Sequence, residues 1–366
     1  MRYLYYCNSA YQLVNILNLN WHRKYGNFEN IDNYESDLII LNAFSGAAEI
    51  VEILNKDRDF NKIILVNKFR NKGVLHSIST FLDILFPIRY LNKSGEFNKK
   101  EIKNRYDYLC VPKVSKITLS IWLLNKRAVI QLFEEGMGTY YGGQHMCYEY
   151  NTHQELYQLL NGGKEFAQYE AVYVNDSRLY LGEDKDKVIN IPKYDITYLG
   201  TLKTIFSNIL FKDTNRDIYW IGQYMIGVNS KDDLNVTIAD SLKKYKNNVV
   251  FCPHPRIELE IDKDIKRLES NKAWELSLLN IDDIEDKCFI SIYSTAIFSA
   301  KLLYDVEPYM ILTIKLLKNE KNEHFKTMEK IIDIFKTTYR NPNKIMIPNT
   351  KEELDECIKE YMNGVI

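Results

Sequence analysis

The chain has 366 residues, 46% hydrophobic and 27% charged, the balance of a soluble globular protein with room for two ordinary domains and their cores. Its 48 Lys+Arg against 49 Asp+Glu leave a formal charge of −1, so no global field selects nucleic acid as a partner. Six cysteines (Cys7, Cys110, Cys147, Cys252, Cys288 and Cys357) stand without a C-x-x-C pair, which predicts buried thiols and argues against a disulfide framework or a cysteine zinc site. The opening M-R-Y-L-Y-Y-C-N turns polar too early for a signal peptide, and no apolar run approaches about 18 residues. A cytoplasmic location is therefore expected, with peripheral membrane association and a homodimer left open.

The apolar run at 2–7 predicts a first strand, Asn8-Ser9 supplies an N-cap, and the spacing of Leu13, Ile16 and Leu17 predicts a helix over 10–20. A strand, tight turn and helix leave backbone N–H groups at a helix start beside the sheet edge. That place suits an anion or a sugar hydroxyl, with Asn8, Ser9 and Gln12 as candidate cleft residues. Apolar runs at 37–41 and 62–66 predict further buried strands, with an amphipathic segment at 47–55 between them, so βαβ units and a parallel sheet follow. Strands are also predicted at 107–111 and 126–133. The latter runs into Glu134-Glu135-Gly136, two carboxylates on a glycine turn. In open α/β sheets ligands gather at the carboxyl ends of strands, so either acid is a candidate catalytic base.

Residues 139–170, rich in Tyr, Gly and Gln, are predicted irregular and then partly helical; Tyr140 and Tyr141 come into question as platforms for a sugar ring. A charged run over 178–193 containing Pro192 marks a domain boundary. Within it Asp184-Lys185-Asp186 matches the D-x-D pattern of metal-dependent sugar transferases, but the lysine-rich surroundings read as solvated surface.

The same architecture then restarts. A strand at 217–221 ends in Gly222-Gln223, a helix is predicted at 234–245, and V-V-F-C-P-H-P-R at 249–256 ends its strand at Pro253. His254 is thus presented between two prolines with little conformational freedom to lose. Trp274-Glu275-Leu276 follows, and then a strand at 287–292 ending in Tyr293-Ser294-Thr295. A helix at 296–304 comes next, with Ser294 or Thr295 as its N-cap. A short strand at 345–347 and a charged amphipathic helix at 351–362 close the chain.

A carboxylate from the first half and an imidazole from the second are the pair needed for displacement at a sugar carbon. One takes the acceptor hydroxyl's proton and the other steadies a departing phosphate. A nucleoside monophosphate carries less charge than a diphosphate, so it can leave with an imidazolium and neutral donors alone.

Acidic-acidic-Gly at Glu134-Glu135-Gly136, His254-Pro255, and Ser294-Thr295 some 40 residues after His254 resemble the three motifs of bacterial sialyltransferases. With the N-S-A-Y-Q segment, I-G-Q at 221–223 and P-H-P-R at 253–256, the chain is most similar to family 52 glycosyltransferases, which act on lipooligosaccharide and capsule. The resemblance implies a GT-B type α/β fold of two Rossmann-like domains facing across a cleft. Residues 1–193 would be the acceptor side and 194–345 the CMP-donor side, with 346–366 a C-terminal helix crossing back to the N-terminal domain. It further implies inverting transfer of sialic acid from CMP-sialic acid to a galactose-type acceptor, α2,3-linked, without a metal. Glu135, in preference to Glu134, would be the base, and His254 would stabilise or protonate the CMP phosphate. Ser294 and Thr295 would hold that phosphate, Pro255 would complete the His-Pro motif, and Glu275 would accept from ribose or cytosine. Gly222 and Gln223 would line the donor site. Glu-Glu stands here where many relatives have Asp-Asp, which leaves acceptor choice open. The other readings are transfer from another nucleotide sugar, such as a glucosyl donor, and a non-catalytic nucleotide- or glycan-binding protein of a capsule locus.

Overall fold

The computed structural model describes residues 1–26, 28–67, 82, 85–95, 102–147, 154–160, 169–210, 217–223, 234–254, 261–268, 274–317 and 323–364. They fall into two compact units, Met1–Lys193 and Tyr194–Ile366. The described part of the first carries β1 (Arg2–Cys7), β2 (Glu35–Asn42), β3 (Lys62–Asn67), β4 (Tyr108–Val111), β5 (Val129–Phe133), β6 (Ala171–Val174) and β7 (Val188–Asn190). Their order is β3-β2-β1-β4-β5-β6-β7, and all of these pairs are parallel. The second unit carries β8 (Ile218–Ile221), β9 (Val249–Cys252), β10 (Lys266–Arg267), β11 (Cys288–Ser291), β12 (Tyr309–Leu312) and β13 (Ile345–Met346), in the order β10-β9-β8-β11-β12-β13 and again parallel. Each sheet shows the 3-2-1-4-5-6 winding of a Rossmann sheet, with β7 added as a seventh strand beside β6 in the first. It reverses between β1 and β4 in one unit and between β8 and β11 in the other, where such sheets open a crevice.

The central strands of the second sheet are apolar runs buried along their whole length. Every residue of β8 (I-Y-W-I), β9 (V-V-F-C) and β11 (C-F-I-S) is buried, as parallel strands covered on both faces require. In the first unit α1 (Ala10–Lys24) starts at Ser9, whose side chain accepts from the Gln12 N–H, and α2 (Ala47–Asp57) links β2 to β3. The helix α3 (Lys116–Leu124) opens with a Ser115/Thr118 capping box. In the second unit α4 (Ile196–Ile205) is capped by Asp195, α5 (Leu234–Leu242) precedes β9, and α6 (Thr295–Tyr304) is capped by Ser294, whose side chain accepts from the Ala296 N–H.

Several expectations are corrected. β5 begins at Val129, not Lys126, because Asn125 caps the preceding helix and accepts from the Arg105 N–H at 2.9 Å, which leaves 126–127 in a turn. The short strands β6, β7, β10 and β12 were not foreseen. The last helix, α7 (Lys351–Met362), belongs to the second unit. It buries Leu354 and Ile358 with Ile218, Leu242, Val249 and Ile290 in the core of the second, and its Tyr361 hydroxyl donates to the Asp217 and Asp286 carbonyls at 3.0 and 2.8 Å. Cys7, Cys110, Cys147, Cys252 and Cys288 are buried free thiols, and Cys357 is half-buried. Among the described residues no helix is long and apolar enough to cross a membrane.

Candidate functional site

In the first unit the chain leaves β5 through Glu134 and Glu135 and turns at Gly136, whose φ of +135° favours glycine. The turn sends its two acids to different environments. Glu134 is 0% exposed. Its Oε2 accepts from the Tyr140 hydroxyl at 2.6 Å and the Asn175 N–H at 2.7 Å, and its Oε1 accepts a short hydrogen bond from the Tyr11 hydroxyl. Asn175 Nδ2 donates in turn to Asn15 Oδ1 at 2.9 Å. Burial pushes the Glu134 carboxyl up, and these hydrogen bonds oppose that shift. A carboxylate so enclosed has no route to a substrate, so its assignment as a catalytic candidate is withdrawn. Tyr140, wholly buried with its hydroxyl on Glu134, is likewise no sugar platform.

Glu135 is open. Its side chain is 26% exposed and lies 3.4 Å from Lys113 Nζ, and its N–H is fixed by Thr139 Oγ1 at 2.9 Å. Lys113 follows β4 and Glu135 follows β5, so the ion pair sits on the carboxyl edge of neighbouring strands. Lys113 and Thr139 went unnoticed in the sequence. The rule that strand ends carry sites would have found Lys113, two residues past β4.

Of the amino-terminal candidates, Ser9 is the N-cap of α1. Gln12 is buried, with Oε1 accepting from the Asn8 N–H at 2.8 Å. Gln12 therefore completes the cap and does not line a cleft, which corrects that expectation. Asn8 and Ser9 are half-buried at the end of β1.

Glu134→Gln is expected to lower the stability of the first unit by about 1–3 kcal/mol, because an amide turns an N–H₂ group toward donors that previously met an acceptor. Chemical denaturation followed by tyrosine fluorescence measures this, and an unchanged midpoint would contradict the network.

In the second unit three loops meet at the crevice. Gly222 N–H donates to the Cys252 carbonyl at 2.9 Å. A Cβ at position 222 would stand 3.1 Å from the Phe251 ring and 3.4 Å from the His254 nitrogen, so glycine lets the loop after β8 lie against the end of β9. Gln223 Oε1 accepts from the Tyr293 N–H at 2.7 Å, and Ser291 Oγ donates to the Ile221 carbonyl at 2.8 Å. These bonds tie the β8 edge to the β11 edge. His254, Ser294 and Thr295 are half-buried around them. The described residues directly after β8, β9 and β11 (222–223, 253–254 and 292–295) include an imidazole, an amide and hydroxyls, but no lysine or arginine.

Glu275 lies in a short helical turn, Trp274–Ser277, joined to the start of α6 by Trp274 Nε1 donating to the Ala296 carbonyl at 2.9 Å. Burial pushes the Glu275 carboxyl from about 4.5 up to about 7. The folded state thus keeps a proton that the unfolded chain gives up. The stability this provides is complete below about 4.5 and is lost as pH rises through about 7. Glu275→Gln is expected to flatten that pH slope in urea melts; an unchanged slope would contradict a neutral carboxyl.

Pro255 and Arg256 lie outside the described residues. Asp184 accepts from the hydroxyls of Tyr169 at 2.5 Å and Tyr180 at 2.8 Å, so it is a structural anchor and not the solvated surface group expected. Among the described residues no group of three or more His, Cys, Asp and Glu side chains could hold a metal ion.

No family model matches the chain, and no curated protein matches its sequence. Among solved structures it is similar to spinosyn forosaminyltransferase (TM-score 0.51, 10% identity, covering 99% of this chain and 90% of that one). It is also similar to spinosyn rhamnosyltransferase complexed with thymidine diphosphate (0.51, 10%, 99% and 92%). The fold is of the GT-B type. A Methanocaldococcus jannaschii UDP-GlcNAc 2-epimerase in complex with UDP-GlcNAc and UDP scores 0.50 at 11% identity, covering 99% of this chain and 93% of that chain. At such identities the likeness establishes the GT-B fold alone.

Proposed function

We propose that the protein is an inverting, metal-independent sialyltransferase that moves sialic acid from CMP-sialic acid to a galactose-type acceptor, α2,3-linked, in bacterial surface glycan synthesis. Structural likeness to nucleotide-sugar glycosyltransferases supports glycosyl transfer in general. The cytidine donor rests on the resemblance of the Glu134-Glu135-Gly136, His254-Pro255 and Ser294-Thr295 motifs to those of sialyltransferases.

The observation that carries the reading is the make-up of the second unit's crevice. An imidazole (His254), hydroxyls (Ser294 and Thr295) and a glycine-lined loop (Gly222) stand at the carboxyl ends of β9, β11 and β8. Such a set can meet the charge of a departing nucleoside monophosphate. In the proposed step Glu135 takes the proton of the acceptor hydroxyl, whose oxygen attacks the anomeric carbon. The bond from that carbon to the phosphate oxygen breaks, and CMP leaves with its charge met by His254, Ser294 and Thr295.

The test is incubation with CMP-sialic acid and a panel of β-galactosides, followed by mass spectrometry. An acceptor heavier by one sialyl residue is expected. Intact CMP-sialic acid with consumption of a UDP- or TDP-sugar would move the protein to another donor, and an epimerised sugar nucleotide without transfer would make it an epimerase.

A further inference from the structure

We infer that Asn235 is a positioning residue for the nucleotide-sugar site, acting through Gln223; this rests on the donor-site reading of the second unit's crevice. Asn235 stands in the first turn of α5 and is 1% exposed. It uses both ends of its amide on one residue, with Oδ1 accepting from the Gln223 N–H at 3.2 Å and Nδ2 donating to the Gln223 carbonyl at 2.8 Å. Two bonds of opposite sense to one residue fix its backbone as a single bond would not. From there the hold passes in two directions. The Gln223 side chain carries it to the Tyr293 N–H, one residue before the Ser294 cap of α6. Gly222 carries it to the Cys252 carbonyl, two residues before His254. One buried amide therefore sets the relative places of the three loops that present Gly222, His254 and Ser294.

Packing the loop with an apolar side chain would cover it equally well. An amide at this depth is tolerated only because both of its ends are satisfied, and what it gains is a fixed backbone position. The loop it fixes lies at the carboxyl edge beside the switch point, where a ligand would require that placement.

The experiment uses the full chain and measures CMP affinity by titration calorimetry and donor kinetics with CMP-sialic acid, well below the melting temperature of each variant. Asn235→Ala is expected to weaken CMP binding about tenfold and raise donor KM comparably, with kcat changed less than about threefold. Asn235→Asp, which keeps the acceptor for the Gln223 N–H and loses the donor, is expected to fall between and serves if the alanine variant does not fold. Combining Asn235→Ala with Gln223→Ala should cost less than the sum of the two, since they share the arm through the Gln223 side chain while only Asn235→Ala also frees the Gln223 backbone. A lower melting temperature with unchanged CMP affinity and KM would overturn the inference and leave Asn235 a purely structural residue. Fully additive losses would overturn action through the Gln223 side chain. A wild-type chain that binds no CMP would overturn the donor-site reading, and the inference with it.

Discussion

Glu135→Gln is expected to lower transfer from CMP-sialic acid by about 10²-fold or more, while CMP affinity stays within about twofold of wild type. The size follows from losing proton abstraction from the acceptor hydroxyl, because an amide cannot accept the proton at neutral pH. The selectivity follows from placement. Glu135 belongs to the first unit and the CMP-binding candidates to the second, so the substitution changes no residue of the unit proposed to bind CMP. The Glu135 backbone is also well set. Thr139 Oγ1 holds the Glu135 N–H at 2.9 Å, Gly136 makes the turn, and the fully satisfied Glu134 anchors the residue before it. Turnover within about threefold of wild type would remove Glu135 from the chemistry.

Arg23→Met is expected to destabilise the first unit by about 3–5 kcal/mol, the cost of stripping a buried charge network of one partner. The Arg23 side chain is buried near the end of α1, its guanidinium 4.7 Å from the Tyr3 ring centroid and 4.8 Å from that of Tyr173. Its nitrogens donate to the Tyr5 hydroxyl at 2.9 Å, Gln131 Oε1 at 2.9 Å and Glu29 Oε2 at 2.8 Å. These partners join β1, β5 and β6, with Tyr173 also donating a short hydrogen bond to Glu29. Without the guanidinium, Gln131 and Tyr5 lose a donor and Glu29 its counter-charge. Arg23→Lys is expected to recover only part of the loss, since an ammonium neither stacks between two rings nor reaches three acceptors in one plane. A denaturation midpoint that corresponds to less than about 1 kcal/mol of loss would contradict this network.

Much of the fold was legible because parallel strands covered on both faces must be continuous apolar runs, and V-V-F-C, C-F-I-S and L-I-I-L announce themselves that way. The carboxyl ends of β8, β9, β11 and β5 then point to Gly222, His254, Ser294 and Glu135. The division of labour between Glu134 and Glu135 was not legible. Successive residues of an extended chain face opposite sides, and composition does not say which of two identical neighbours turns inward. Gln12 misled for a related reason: S-x-x-Q reads equally as a ligand-facing turn and as a cap, and the hydrogen bond to the Asn8 N–H decides for the cap. The amphipathic pattern of α7 demands an apolar partner without naming one, and Leu354 and Ile358 find it in the second unit's own core. Asn235 carried no signal at all, since an amide in the first turn of a helix is common and its value here comes from its two bonds to Gln223.

The most direct measurement is titration of CMP into the wild-type protein and its His254→Ala and Glu135→Ala variants. Saturable binding to wild type is expected, with binding about tenfold weaker or worse for His254→Ala and near wild-type affinity for Glu135→Ala. No binding to wild type, or equal loss in both variants, would contradict the proposed function.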